Sequence, residues 1–112
     1  MTPEAFDAAC RSRLGAQHVV QWGGADVYKV GGRIFAVLAA DRGASLKVSP
    51  IAFEVLTENG VARPAPYLAR AGWVRFDDLA PFAPEEMTSW IGEAHALVVA
   101  KLTKAVRREL GL

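Results

Sequence analysis

Between Val27 and Leu38 two runs of strand-forming residues meet at Gly31-Gly32, and a diglycine is one of the few sequences that reverses a chain in two residues. Glycine accepts the positive φ that primed hairpin turns need, while Val27, Tyr28, Ile34 and Phe35 suit a pleated sheet. Pairing outward from the turn sets Val30 opposite Arg33, Lys29 opposite Ile34 and Tyr28 opposite Phe35. One face of the hairpin is then aromatic, and the other mixes Val27, Ile34 and Ala36 with one cation, Lys29. Such a hairpin implies a sheet packed on one side and presenting charge on the other.

The flanking signals extend this into an order of elements. Thr2-Pro3-Glu4 is a helix start, with a hydroxyl cap, a proline at the first helical position and an acid in the first turn; the helix is expected to run to Leu14 and stop at Gly15. His18 to Trp22 reads as a strand and Leu46-Lys47-Val48 as another. Ser49-Pro50 opens a second helix from Ile51 to Glu58, ended by Asn59-Gly60. Two prolines in Arg63-Pro64-Ala65-Pro66 exclude a central strand and make a rigid connector. Tyr67 to Arg70 and Trp73 to Phe76 are expected to form a last hairpin around Ala71-Gly72. From Pro84 the spacing of Met87, Trp90, Ile91, Ala94, Leu97, Val98, Leu102 and Ala105 predicts one helix of roughly 25 residues laid across the sheet. Hairpins dominate and no βαβ crossover is evident, so the expected fold class is α+β: a two-layer sandwich, its antiparallel sheet carrying the first and last helices on one face. All 112 residues make one domain, residues 1–112, with apolar content ample for a core without disulfide or metal.

Charge is unevenly placed. The formal net charge is +1, yet residues 27–76 carry +4 and the flanks −3, which makes the sheet side the positive one and favours a polyanion. No run approaches the ~20 apolar residues that span a bilayer, and the charged N-terminus does not suit a secretory signal, so a cytoplasmic protein is expected. The lone Cys10, among alanines in a helix, reads as a buried thiol.

Catalytic and cofactor signatures do not assemble. His18 and His95 lack a Cys, Asp or second His at zinc-ligand spacing, and no glycine-rich phosphate loop or nucleophile elbow occurs, so neither an enzyme nor a metal or organic cofactor is expected. Asp77-Asp78 and Glu85-Glu86 read as loop solvation and helix-dipole complements. Trp22 and Trp90 have the neighbours of core residues, and Trp73, between Arg70 and Arg75, reads as core or as a contact on the basic side.

Taken in order, Val27 to Ala36, Leu46-Lys47-Val48-Ser49-Pro50, Arg63 to Leu68, Gly72-Trp73-Val74 and His95 to Leu102 resemble the MmcQ/YjbR-like family of small bacterial proteins across nearly the whole chain. The resemblance implies a two-layer fold related to type III secretion chaperones and the label DNA-binding, attached to a double-wing arrangement of hairpins. It puts the family's lysine at Lys47, its arginine-proline connector at Arg63-Pro64, its aromatics at Tyr67 and Trp73, and a helix lysine at Lys101. Ala69-Arg70-Ala71-Gly72 replaces a more polar stretch, and His95 replaces an aromatic of the last helix.

Two partner classes follow. In one, the open face of the sheet contacts nucleic-acid phosphates through Lys29, Lys47, Arg63, Arg70 and Arg75, with Tyr67 or Trp73 against a base or sugar. In the other, the same face holds a protein segment or small ligand, as the chaperone-like shape suggests. Lys47 and Arg63 are expected to project together beside Trp73, the alternative for Arg63 being an ion pair with Glu54 or Glu58.

Overall fold

The computed structural model describes residues 1–66 and 68–112 and has two layers. Six antiparallel strands make the sheet: β1 (Ala16–Gln21), β2 (Ala25–Val30), β3 (Arg33–Leu38), β4 (Ala44–Lys47), β5 (Arg63–Pro64) and β6 (Trp73–Phe76), in the order β1-β2-β3-β4-β6-β5. Among the described residues four α-helices accompany them: α1 (Pro3–Arg11), α2 (Pro50–Glu58), α3 (Pro84–Val99) and α4 (Lys104–Leu110). α1 and α3 pack on one face of β2, β3 and β4, as the apolar stripes of the two helices require.

Local chemistry sets the boundaries. The Thr2 hydroxyl accepts the Ala5 N–H at 3.0 Å and Ser49 caps Ala52 in the same way at 3.2 Å, each followed by a proline that fits the first helical turn. α1 stops at Arg11, short of Leu14, where the Ser12 hydroxyl donates back to the Ala9 carbonyl at 2.8 Å. Arg63-Pro64 takes the sheet edge, the one place in a sheet that tolerates proline.

The diglycine hairpin forms, with a register the sequence does not announce. Val30 faces Arg33 and Lys29 faces Ile34, but a β-bulge then brings Tyr28 opposite Ala36 rather than Phe35. The extra residue lets Phe35 and Ala36 both turn into the core, where the Phe35 ring meets the edge of His95 at 5.2 Å. Ala36 therefore lies under the helices, and the opposite face keeps Val27, Ile34 and Val37.

Two further expectations are corrected. Residues 69–71 form a single 3-10 turn, closed by Gly72 at φ 79, instead of a hairpin arm. Trp73 already pairs with Lys47 on one side, and its carbonyl accepts the Ala65 N–H at 3.0 Å on the other, which leaves no edge for residues 68–70; Tyr67, the start of that arm, lies outside the described residues. The last helix divides at residues 100–103. Thr103 caps α4 through the Val106 N–H at 3.2 Å, and the break lets Leu102 and Val106 close over Gly31 in the β2–β3 turn. No helix among the described residues is long and apolar enough to cross a membrane.

Candidate functional site

Strand alternation decides which cations share a face. Ala44 and Leu46 of β4 are buried under the helices, so Ser45 and Lys47 project from the open face, together with Arg75 and Trp73, their partners in β6, and Arg63, which pairs with Arg75. Lys29, opposite Ile34, lies on that face two strands away from β4. These residues differ sharply in what they offer a ligand.

Trp73 offers nothing. It is 6% exposed and packs with Ala25, Val27, Val37 and Ala65, so the connector roofs it over and the expected base or sugar contact is corrected to a small second core. Tyr67 lies outside the described residues. Trp22, expected in the core, is 63% exposed instead. It occupies a left-handed position, φ 50, in the β1–β2 turn, a conformation more natural to Asn or Gly. With Val37, Pro66 and Leu68 it lines a groove of about 500 Å³ on the open face, bordered by Asp41, Arg63 and Arg75.

Arg63 and Arg75 are already paired. Arg63 donates to both oxygens of Asp77, at 2.8 and 3.0 Å, and not to Glu54 or Glu58. Arg75 donates its Nε to Asp77 at 2.8 Å and its Nη2 to both oxygens of Asp41, at 2.8 and 3.0 Å. Two guanidinium groups face two carboxylates, and the network is neutral. Hydrogen bonds from Arg63 and then Arg75 bring the Asp77 carboxyl down to about 2.

Lys47, Arg70 and Lys101 are different. Lys47 and Lys101 line one groove of about 740 Å³ with Arg70, at the end of the sheet where β4 leads through Ser49 into α2. Lys47 donates to the Ala71 carbonyl, and no carboxylate lies within ion-pair distance of any of the three among the described residues, although Glu54 stands on the rim. Desolvation first, and the Lys101 ammonium second, depress the Lys47 pKa below its ordinary value. The first turn of α2, its Ala52 N–H already capped by Ser49, adds the positive end of its dipole to the groove. Sequence reasoning places Lys101 on the last helix but does not unite it with Lys47, because nothing local to either residue encodes the approach.

A second polar cluster joins residues that sequence spacing could not relate. His18 Nε2 meets Asp26 at 2.7 Å, the Tyr28 hydroxyl donates to Asp7 at 2.6 Å, and Arg42 and Arg11 pair with Asp26 and Asp7. Asp7, His18 and Asp26 hold ligand atoms within 4.8 Å of one another, the spacing a shared cation needs, but each carboxylate is already committed to an arginine. His95 is buried and bonded to the Leu14 carbonyl at 2.8 Å, and desolvation lowers its pKa. Burial pushes the Cys10 thiol well above its usual range, which makes it inert.

A family model described as YjbR matches residues 11–97. Among solved structures, the chain is similar to the Deinococcus radiodurans protein DR2400, a DUF419 domain, at 26% identity and a TM-score of 0.84, over 99% of this chain and 88% of that one. No curated protein matches it.

Proposed function

The chain belongs to the YjbR family, and from that premise we propose that it binds duplex DNA through the phosphates, using the groove of Lys47, Arg70 and Lys101 rather than the middle of the open sheet face. The observation that carries this reading is that Lys47, Arg70 and Lys101 line one groove with no carboxylate within ion-pair distance of any of them among the described residues, Glu54 standing on the rim. A phosphate oxygen in this groove would accept hydrogen bonds from cations that share it without an ion-pair partner, and would offset the partial desolvation of Lys47. Arg63 and Arg75 gain less, because a phosphate there competes with Asp77 and Asp41.

Contacts of this kind position a protein on DNA without reading base sequence. With a net charge of +1 the binding is expected to be modest and steeply salt-dependent. The role is that of a binding protein rather than an enzyme, working in the bacterial cytoplasm where DNA is accessible. Fluorescence anisotropy of a labelled short duplex at two salt concentrations tests it: affinity that falls steeply with salt supports phosphate contact, and no binding at low salt removes the reading.

A second reading rests on Trp22. An exposed tryptophan in a left-handed turn, beside Val37, Pro66 and Leu68, suits an apolar side chain of a protein segment or a small ligand. Quenching of Trp22 fluorescence by peptides, unaffected by salt, would favour this reading over the first.

A further inference from the structure

The two edges of the sheet are finished differently. At β5 the edge is two residues long, one of them a proline and the other an arginine whose head group is held by Asp77, all devices that block strand addition. At the other end, β1 runs six residues, Ala16–Gln21, paired among the described residues with β2 alone, and contains no Lys, Arg, Asp, Glu or Pro. Its one titratable side chain, His18, is turned inward to Asp26. Large apolar residues crowd the same edge: Leu14 is 59% exposed, Val19 36% and Val20 64%. An uncharged, unprotected edge of this length is a template for another strand.

We propose that the occupant of this edge is a second copy of the chain, joined by antiparallel pairing of β1 with β1 about a two-fold axis at Val19. In that register Val19 faces its symmetry mate, Val20 lies opposite His18 of the partner subunit, and Gln17 opposite Gln21 of the partner subunit. Every cross-strand pair is uncharged, and residues of like parity meet, so both helix layers stay on the same side of one continuous twelve-stranded sheet. The two-fold closes the assembly, leaving only the protected β5 edges at its ends. A foreign strand is the poorer fit, since the edge carries no charge to select a partner or fix its direction.

Sedimentation velocity of the purified protein without nucleic acid, across a range of concentrations, tests this directly. The wild type is expected at twice the chain mass, and Val20→Lys at the monomer mass with an unchanged circular dichroism spectrum, because Val20 is exposed and lysine on an edge blocks pairing. Gln17→Lys, at a second exposed position of the strand, is expected to do the same and guards against a folding defect in either variant. Amide exchange in Ala16–Gln21 is expected to accelerate in both variants. A wild type that stays monomeric throughout, or a dimer that both substitutions leave intact, overturns the proposal.

Discussion

Lys47 and Lys101, one at the end of a strand and the other just beyond α3, line a single groove, and no carboxylate lies within ion-pair distance of either among the described residues. Arg63, Arg75 and Arg42 are arranged in the opposite way, each tied to an aspartate. Total charge therefore says little about where an anion would bind; the pairing of each cation does.

Tyr28→Phe is expected to destabilise the fold by about 1–2 kcal/mol, the low end for a hydrogen bond to a charged acceptor because this one is only partly buried. Tyr28 is fully buried and its hydroxyl donates to Asp7 at 2.6 Å, tying β2 to α1. Urea denaturation, read as a shift of midpoint at constant slope, checks it.

Stability is expected to fall with acidification in a window set by Asp77. Its folded-state pKa lies at about 2, below the ordinary 3.8, so the stability it contributes is complete above about 3.8 and is lost as the pH falls towards about 2. The carboxylate is 58% exposed, so solvent screening keeps the effect small. Asp77→Asn is expected to flatten the dependence of melting temperature on pH in that window without abolishing it, because Asp41 and Asp26 are depressed by their own arginine partners.

The two turn glycines are expected to respond unequally to alanine. Both have positive φ, so each substitution carries a backbone penalty of about 1 kcal/mol. At Gly32 the added methyl meets nothing within 4 Å, whereas at Gly31 it would lie 2.7 and 2.8 Å from the Leu102 methyls, so Gly31→Ala must also displace a packed leucine. A larger loss of melting temperature in Gly31→Ala than in Gly32→Ala is the expected outcome; equal losses would mean that Leu102 yields freely.

Periodicity and turn chemistry carry the fold far: the helix starts at Thr2 and Ser49, the diglycine turn and the antiparallel sheet all follow from local residues. The bulge that turns Phe35 inward is hidden from local reading, because the ring that Phe35 meets, His95, lies on a distant helix. The break before Thr103 is present in the sequence as a cap, and the helical spacing on both sides masks it. The site is less legible for a related reason. Strand parity places Lys47, Arg63, Arg75 and Trp73 on one face, but Asp41 reaches Arg75 from 34 residues away, Asp77 reaches Arg63 from 14, and the connector that buries Trp73 is likewise outside its strand. The apolar neighbours of Trp22 suggest a core residue, whereas its place in a tight turn decides its exposure.

The most direct test of the account is the salt dependence of duplex DNA binding in wild type, Lys47→Ala/Lys101→Ala and Arg63→Ala, followed by anisotropy under identical conditions. Removing one cation from a phosphate lowers the slope of log affinity against log salt by about 0.9. The account predicts a slope reduced by nearly twice that amount in the double lysine variant and left close to wild type in Arg63→Ala, whose guanidinium is held by Asp77. An unchanged affinity and slope in the double lysine variant, or a larger loss in Arg63→Ala, would contradict it.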